Sequence, residues 1–438
     1  DQVYSHTSDR HAWFEESRQS IDNPKADWYV WADAKADGSP PNNWLSVFGG
    51  PAWTWDARRR QYYLHNYLST QPDLNLHNRS VQDALIEVAR FWLKRGIDGM
   101  RLDAINYGMH DEALRDNPPA TCDNGRRARP WLMQVKKYNT NHQQMPTFLE
   151  RLRRHTRDYG DILTVAEVGG ADSVPIMRAY TSGNERLATA YSFDFLNLSS
   201  VTAASLRTVL AEWPNDNASG WPSWAFSNHD AMRVVTRWSI GDDPPRRARL
   251  FGLLLAAMRG NVFIYQGEEL GLPQANVPFR SLKDPEAIAH WPHTLGRDGA
   301  RTPIPWQENS VSAGFSESDP WLPVDPAHLP LSVDAQDTDP NSTLNFFRSL
   351  LKLRRSSQAL RTGDLEFIDA PEGVIAFARS AANERLVCVF NLGTQSVDWA
   401  PPSITEAQLV SQAGVVGNRT PNTLPACAGY IASTESGT

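Results

Sequence analysis

Three acidic residues lie at the ends of short apolar stretches that are predicted to be buried strands: Asp103, Glu167 and Asp230. A pair of carboxyl groups about 5–5.5 Å apart can cleave a glycosidic bond with retention of configuration, one as nucleophile and the other as acid. The acid of such a pair needs a raised pKa, which burial and a nearby like charge supply. Taken singly, each residue fits a helix N-cap or a salt-bridge partner at least as well as a catalyst.

The neighbours of these acids strengthen the catalytic interpretation. Arg101 lies two residues before Asp103 and therefore points to the same side of a strand. An arginine there would keep a nucleophilic carboxylate ionised and oriented. His229, next to Asp230, and His6 are suited to hydrogen-bond hydroxyl groups of a ligand, although a single histidine is more often structural.

Helical and strand patterns alternate through the middle of the chain. Apolar residues recur with a helical period, and short apolar runs between these segments read as buried strands. The predicted helices are 81–94, 148–158, 246–258 and 345–356, and the predicted strands are 99–104, 162–167, 191–195, 223–227 and 262–266.

Such alternation predicts a parallel sheet with helical crossovers. At least four of the strands end in polar or charged residues. A (β/α)8 TIM barrel gathers all its strand ends on one functional face, whereas an open doubly wound sheet uses only the strands at its switch point. The fold class is therefore predicted to be α/β with a (β/α)8 barrel, in which closure would bring Asp103, Glu167 and Asp230 onto one rim.

The chain divides by composition into four parts. Residues 1–7 read as the end of a barrel strand. Residues 8–75, rich in Trp, Tyr, Pro, Asn and Gly, predict a small irregular inserted domain with a strand near 61–65. Residues 76–358 form the barrel remainder, and 359–438 alternate with period two, which predicts an antiparallel β domain with a loose tail from Ile431.

The count of predicted strands is short of the eight that a closed barrel needs. Two strand–helix units and the body of a third strand are absent, which corresponds to about 70–100 residues at the usual unit length. We therefore expect the N-terminal barrel strands to lie upstream of Asp1.

Four ordered segments resemble glycoside hydrolase family 13, the α-amylase superfamily. Residues 1–6 resemble its first motif, at the end of the third barrel strand, and residues 99–106 its nucleophile motif. Residues 165–168 resemble the acid/base motif, and residues 226–230 resemble the motif of the transition-state-stabilising aspartate. The resemblance implies Asp103 as nucleophile, Glu167 as acid/base and Asp230 as the third carboxylate.

Two further segments, 71–75 and 296–306, resemble the α-glucosidase and oligo-1,6-glucosidase branch of this family. Within that branch Ala104, directly after the nucleophile, resembles α-1,4-acting members, whereas valine there resembles α-1,6-acting ones. The resemblance also implies a substrate-binding set in which two aromatic side chains wall the sugar pocket: His6, Phe48, Tyr67, Arg101, Ala104, His229 and Arg301.

The implied activity is a retaining α-glucosidase that hydrolyses terminal α-1,4-linked glucose of maltose-like oligosaccharides and also transfers it. Alternatives of the same fold are an oligo-1,6-glucosidase, a sucrose isomerase or hydrolase, and a trehalose synthase. A non-catalytic, transporter-associated relative or a carbohydrate-binding module would not need three strand-end carboxylates. Residues 109–144, with a basic run at 126–129, are predicted to wall the +1 subsite rather than merely cover the barrel rim.

Composition sets further limits. The net charge of −7 leaves no basic stripe for nucleic acid, and no apolar run is long enough for a membrane span. Three cysteines without metal spacing favour a reducing compartment, the cytoplasm. A small glucoside is the expected partner, and the chain is expected to be a monomer or a homodimer.

No cofactor is expected to be required. Amylases carry a calcium-ligating asparagine where this chain has Ser5, which argues against that calcium site. A family calcium or magnesium loop, if present, would lie upstream of Asp1.

Overall fold

The computed structural model describes residues 1–121, 130–170, 173–216, 218–294, 296–402, 404 and 407–434. These residues form two compact units. Unit 1 comprises Asp1–Phe193, Asp216–Trp221 and Ala289–Thr294, and unit 2 comprises Asp194–Asn215, Pro222–Ile288 and Leu295–Thr438.

The strands are, in chain order, β1 (Gln2–Val3), β2 (Trp31–Ala32), β3 (Trp53–Asp56), β4 (Gln61–Leu64), β5 (Gly99–Asp103), β6 (Leu163–Val168), β7 (Thr189–Ser192), β8 (Pro222–Ala225), β9 (Asn261–Phe263), β10 (Asp364–Ile368), β11 (Val374–Ala381), β12 (Glu384–Asn391), β13 (Val397–Asp398), β14 (Gln408–Ala413), β15 (Thr423–Leu424) and β16 (Ala428–Ser433).

The α-helices are α1 (Ala12–Ser17), α2 (Arg79–Leu93), α3 (Met145–Thr156), α4 (Ser173–Thr181), α5 (Asp194–Asn197), α6 (Ala203–Ala211), α7 (Val234–Arg237), α8 (Pro244–Ala257), α9 (Pro285–His290), α10 (Val333–Asp337), α11 (Thr343–Ser356) and α12 (Gln358–Thr362). Short 3₁₀ turns include Ile105–Tyr107 and Asp298–Ala300.

A parallel sheet in the order β1-β5-β6-β7 organises unit 1. Its register places Val3 beside Asp103 and Glu167 beside Tyr191. Because all four strands run in the same direction, their carboxyl ends and the polar side chains there lie at one edge of the sheet. The amphipathic helices α2 and α3 cover this sheet with the apolar faces that their sequence period predicted.

An antiparallel sheet in the order β2-β4-β3 lies within residues 8–75. Its core contains Val30, Trp44, Trp53 and Leu64, all nearly inaccessible to solvent. The aromatic residues that make this part of the sequence look irregular therefore fill a small core of their own. The four domain boundaries predicted from composition stay a prediction.

Unit 2 contains the parallel pair β8-β9 and an antiparallel sheet in the order β10-β11-β12-β16-β14. A core of valines, alanines and Tyr430 packs on one face of the antiparallel sheet. The predicted C-terminal β domain is therefore present in the described residues. Cys388 and Cys427 are buried free thiols, while Cys122 lies outside the described residues.

Boundary predictions at several strand ends were wrong. The strand predicted at 191–195 ends at Ser192, and α5 begins at Asp194 because Phe195 turns into an aromatic cluster with Trp224 and Phe226 at ring distances of 5.3 and 5.5 Å. The loose tail predicted from Ile431 begins instead as the end of β16, in which Ile431 is fully buried, and residues 435–438 lie outside the described residues.

Candidate active site

Arg101 joins the two predicted catalytic carboxylates of unit 1. Its Nη1 atom lies 2.7 Å from Oδ1 of Asp103, and its Nη2 atom lies 2.7 Å from Oε1 of Glu167. Burial alone would lower the pKa of Arg101, but the charge of Glu167 and the Tyr191 and Asp103 oxygens outweigh it and raise that pKa. A permanently charged guanidinium between the two carboxyl groups holds both in one orientation, as a two-carboxylate mechanism requires.

Glu167 is held from both of its oxygens. The Tyr191 hydroxyl donates to Oε1 at 2.7 Å, and the backbone N–H of Ala104 donates to Oε2 at 3.2 Å. Tyr191 in turn accepts hydrogen bonds from Nε and Nη2 of Arg101 at 3.1 and 2.9 Å. Glu167 is 6% exposed as a residue, whereas the Asp103 side chain is 25% exposed and open to a ligand.

Ala104 has a left-handed backbone conformation, with φ 42° and ψ 36°. This turn directly after β5 points its N–H back at Glu167. Left-handed geometry costs an L-residue with a side chain about 1–2 kcal/mol and is worst for β-branched residues. Alanine accepts this conformation with less strain than valine would.

An aromatic cluster adjoins this pair in unit 1. The His6 and Tyr67 ring centroids are 5.2 Å apart, Phe48 and Tyr67 are 6.1 Å apart, and Tyr67 and Tyr107 are 5.5 Å apart. Burial lowers the pKa of His6 to about 4 and raises the pKa of Tyr67 well above its ordinary value. His6 is therefore a neutral imidazole at pH 7, able to donate a hydrogen bond to a sugar hydroxyl without adding charge.

The segment 71–75 positions His6. Leu74 donates its N–H to the Ser5 carbonyl at 2.9 Å, and Gln71 Nε2 lies 3.0 Å from His6 Nε2. Asp73 is fully enclosed and accepts hydrogen bonds from the backbone and side chain of Asn66, yet burial still raises its pKa to about 8. This motif therefore fixes residues 5–7 through hydrogen bonds and an isolated β-bridge between His6 and Asp73.

In unit 2, Asp230 follows β8 and is bound by two arginines. Its Oδ1 atom accepts from Arg301 Nη2 at 2.7 Å and from Arg297 Nη1 at 3.2 Å. His229 Nε2 lies 3.5 Å from the other oxygen, Oδ2. Asn228 Oδ1 accepts from the Asp230 N–H and fixes the turn.

Asp284 orients Arg297 by accepting hydrogen bonds from its guanidinium group. Burial would raise the pKa of Asp284, but two hydrogen bonds and the charge of Arg297 outweigh it and lower that pKa. Arg297 Nη2 donates to Asp284 at 2.9 Å while its Nη1 reaches Asp230. Arg297 therefore bridges two carboxylates in unit 2, as Arg101 does in unit 1.

The structure places the predicted site residues in two groups, one in each unit, and their roles stay a prediction. His6, Phe48, Tyr67, Arg101, Asp103, Ala104 and Glu167 gather in unit 1, and His229, Asp230 and Arg301 gather in unit 2. Sequence reasoning missed Tyr191, Arg297 and Asp284. The signal for Arg297 was present, since it belongs to the motif that supplied Arg301, and Tyr191 lies in the strand next to Glu167.

Among residues 1–121, 130–170 and the later described ranges, no group of three or more His, Cys, Asp or Glu side chains is arranged to hold an ion. Ser5, which occupies the position of the amylase calcium ligand, is buried and its Oγ lies 3.0 Å from His6 Nδ1. The prediction that no cofactor is required stays a prediction.

Among the described residues, no helix is both long and apolar enough to cross a membrane. Location in the cytoplasm and the oligomeric state stay predictions.

Known proteins resemble this chain along nearly its whole length. A family model described as the α-amylase catalytic domain matches residues 1–363. A probable α-glucosidase of Rhizobium meliloti (strain 1021) is 46% identical over 403 residues, covering 90% of this chain and 73% of that protein. An oligo-1,6-glucosidase of Heyndrickxia coagulans is 33% identical over 440 residues, covering 92% of this chain and 77% of that protein.

Solved structures of other proteins are similar to this chain over nearly its whole length. The crystal structure of the α-glucosyl transfer enzyme XgtA has a TM-score of 0.91 and 43% sequence identity, and the match covers 99% of this chain and 82% of that one. A trehalose-6-phosphate hydrolase of Bacillus licheniformis has a TM-score of 0.83 and 28% identity, again covering 99% of this chain and 82% of that one. The predicted (β/α)8 barrel with its C-terminal antiparallel domain is confirmed, and the chain belongs to the α-amylase family, glycoside hydrolase family 13, as an enzyme of the α-glucosidase and oligo-1,6-glucosidase type.

Proposed function

We propose that this protein is a retaining α-glucosidase acting on terminal α-1,4-linked glucose of maltose-like oligosaccharides. Asp103 attacks the anomeric carbon while Glu167 donates a proton to the departing glycosidic oxygen. The product is a covalent β-glucosyl ester of Asp103. Water, activated by Glu167 as base, then releases α-glucose and regenerates both carboxyl groups.

The observation that carries this proposal is the guanidinium of Arg101, which lies 2.7 Å from an oxygen of each carboxylate. One guanidinium can contact two carboxylates only when they lie at the same edge of the sheet, as a two-carboxylate glycosidase requires. Retention, for which the two carboxyl groups lie about 5–5.5 Å apart, is what the family resemblance implies, and the product anomer tests it. The greater exposure of Asp103 fits a nucleophile, and the buried Glu167 fits a proton donor.

Asp230 supplies substrate binding in this proposal. With Oδ1 held by Arg297 and Arg301, its second oxygen accepts hydrogen bonds from ring hydroxyls of the glucosyl unit. These bonds act most strongly when the ring flattens in the oxocarbenium-like transition state. His6, Phe48, Tyr67, His229 and Arg301 complete the proposed sugar-binding set.

Transfer of glucose to a sugar or an alcohol follows from the same intermediate. A hydroxyl group that replaces water in the second step is deprotonated by Glu167 and forms a new α-glucoside. One of the similar structures is that of an α-glucosyl transfer enzyme, which supports transfer as a second outcome here.

An oligo-1,6-glucosidase is the nearest alternative, because several similar proteins bear that name. Structures of a trehalulose synthase and of an isomaltulose synthase complexed with sucrose are also similar, at 27% and 26% identity. Ala104, which resembles α-1,4-acting members of the branch, favours an α-1,4-glucosidase over these.

The decisive experiment is glucose release from maltose, isomaltose, sucrose and trehalose, with the product anomer followed by NMR. We expect α-glucose first, from maltose far faster than from isomaltose, and an added alcohol should divert part of the glucose into a glucoside. β-Glucose as the first product would overturn Asp103 as nucleophile, and faster turnover of isomaltose would favour the alternative.

Variants assign the roles. Asp103→Asn and Glu167→Gln should each lower kcat on maltose by at least about 1,000-fold, since each removes a group that acts in the reaction itself. Asp161→Asn, at an exposed carboxylate before β6, is the matched control and should retain full activity. Wild-type turnover by either site variant would refute the assignment.

A further inference from the structure

Asn66 lies directly before Tyr67, one of the two aromatic residues in the proposed sugar-binding set of unit 1. Its side chain is fully buried, so it cannot touch a ligand itself. Any effect of Asn66 on sugar binding must therefore pass through the residues to which it is bonded.

Every polar group of Asn66 has a partner. Its backbone N–H donates to the Asp73 carboxyl group at 3.2 Å, and its side-chain amide donates to the same group. Its carbonyl accepts from the Val47 N–H at 2.9 Å, and its Oδ1 atom accepts from Asn139 Nδ2 at 2.6 Å. A buried polar group that is satisfied in this way holds its neighbours in one arrangement.

Two of these bonds lead to other members of the proposed sugar-binding set. Asp73 forms an isolated β-bridge with His6, and Val47 lies directly before Phe48. This one asparagine is therefore connected, directly or through one residue, to three side chains that are expected to contact the sugar.

Ser46 makes a second link between the two aromatic residues. Its hydroxyl donates to the Tyr67 carbonyl at 2.5 Å and accepts from the Phe48 N–H at 3.1 Å, and the residue is 1% exposed. The two ring centroids lie 6.1 Å apart. A change in the backbone at either residue would alter this spacing.

Asn139 connects the same network to the strand ends of the parallel sheet. Asn117 Nδ2 donates to Asn139 Oδ1 at 2.9 Å, and two residues further on the Asn141 N–H donates to the Asn106 carbonyl at 2.7 Å. Asn106, in the turn after β5, donates its side-chain amide to the carbonyl of Gly169, which follows β6, at 2.9 Å. The aromatic residues are thus held relative to the strands that carry the two carboxyl groups.

We propose that Asn66 is a positioning residue for sugar binding, which acts with Ser46 to hold Phe48, Tyr67 and His6 in the arrangement that fits a glucosyl unit. The inference rests on the proposed function, since it takes these three side chains as contacts of the terminal glucose. Groups of a binding site have to be held within about 0.5 Å of the productive geometry by the residues that support them. Contacts with the walls of the pocket act on the substrate and on the transition state alike, so their loss raises KM and leaves kcat nearly unchanged.

Asn66→Ala tests the role of the amide. It should raise both KM for nitrophenyl α-glucoside and the Kd for glucose in isothermal titration by at least about fivefold, while kcat changes less than about threefold. Asn391→Ala is the matched control, since Asn391 is also fully buried and its amide donates to the Gln395 and Pro425 carbonyls in unit 2 at 2.8 and 3.0 Å. It should lower the free energy of unfolding in urea without changing KM or Kd. Wild-type KM and Kd in Asn66→Ala, or an equal rise of both in Asn391→Ala, would overturn the proposal.

Ser46→Ala is a smaller change, and it decides the matter if Asn66→Ala does not fold. Loss of its two hydrogen bonds should raise KM and the Kd for glucose by at least about twofold. Ser17→Ala removes a buried hydroxyl of the same unit, which accepts from Trp31 Nε1 at 3.0 Å, and should leave both values unchanged. A folded Ser46→Ala protein with wild-type KM and Kd would refute the positioning role.

The choice of ligands separates this inference from the proposed function. Nitrophenyl α-glucoside carries the α-glucosyl unit without a second sugar, so the linkage preference does not enter the result. If the wild-type protein did not hydrolyse it, the proposed function would fail, whereas the glucose titrations of the four variants would still decide whether Asn66 and Ser46 position the sugar-binding residues.

Discussion

Ala104 links backbone conformation to the proposed chemistry at the scale of a single residue. Its left-handed turn ends β5 directly after Asp103 and directs an N–H at Glu167 Oε2. The same carboxyl group receives the Tyr191 hydroxyl and the Arg101 guanidinium on Oε1. Glu167 is thus held by three donors from two neighbouring strands and one turn, which preorganises it before substrate arrives.

Replacing Ala104 by glycine should stabilise the fold. Glycine adopts left-handed geometry without the Cβ penalty, so the free energy of unfolding should rise by about 1 kcal/mol in urea titrations. Ala382, in the exposed β11–β12 turn at φ 49°, has a similar strain far from the proposed chemistry. Ala382→Gly should therefore give a similar gain; a gain at 382 without one at 104 would show that Ala104 is not strained.

Removing the Tyr191 hydroxyl should impair turnover more than binding. Tyr191→Phe deletes a donor to Glu167 and an acceptor for Arg101, so kcat on maltose should fall about 10–100-fold with KM nearly unchanged. The Tyr191 hydroxyl stabilises the ionised form of the Glu167 carboxyl group by donating a hydrogen bond to it. Without this hydroxyl the carboxyl group should keep its proton to higher pH, so the alkaline limb of the pH–rate profile should shift to higher pH.

Tyr180→Phe is the matched control for the Tyr191 variant, since it removes a buried hydroxyl of α4 in the same unit. It should leave both kcat and the pH profile unchanged. If Tyr191→Phe lowers kcat but leaves the pH profile unchanged, Tyr191 contributes only packing and does not act on the protonation of Glu167.

At the scale of elements, sequence periodicity predicted the helices well. The helix predicted at 81–94 is α2 (Arg79–Leu93), and that predicted at 246–258 is α8 (Pro244–Ala257). Both helices begin two residues earlier than predicted, because the side chains of Asn78 and Asp243 cap them by accepting hydrogen bonds from backbone N–H groups of their first turns. Periodicity reports the buried face of a helix, whereas its ends depend on such local hydrogen bonds.

Strand ends were harder to predict, because an apolar run does not say where a strand turns into a helix. Residues 262–266 predicted a five-residue strand, but β9 ends at Phe263. Motif resemblance placed Asp103, Glu167 and Asp230, yet the contacts of Tyr191 and Arg297 depend on strand register and loop conformation. Those contacts follow only from the folded chain.

The α8–α11 contact depends on the absence of a side chain. A Cβ atom at Gly252 would lie 2.5 Å from the Phe347 ring, much closer than packing allows. Gly252→Ala should therefore destabilise the protein by about 1–3 kcal/mol in urea titrations, although alanine is the better helix former. Adding Phe347→Leu to Gly252→Ala should restore part of the lost free energy of unfolding, because the smaller side chain makes room for the new Cβ atom. An equal loss in the single variant Gly252→Ala and in the double variant would contradict this packing.

At the scale of the whole molecule, a cluster of three histidines gives stability a pH dependence. The His77 ring lies 5.1 Å from His110 and 5.0 Å from His142, and its Nε2 atom lies 2.7 Å from the His110 carbonyl. The cluster joins residues 77, 110 and 142 of unit 1, around the segment predicted to wall the +1 subsite. Burial, with the neighbouring histidines, lowers the pKa of His110 to about 3.

Acid should therefore weaken the fold through His110. Below its ordinary pKa of 6.5 the unfolded chain takes up a proton there, while the folded chain stays neutral until about pH 3. Between pH 7 and pH 5 this difference removes about 2 kcal/mol from the free energy of unfolding. In urea titrations, the free energy of unfolding of His110→Leu should therefore fall by about 2 kcal/mol less than that of the wild type between pH 7 and pH 5. Ile86→Val, a core variant without a titrating group, should show the same fall as the wild type. An unchanged acid loss in His110→Leu would mean that other groups set the pH dependence of this molecule.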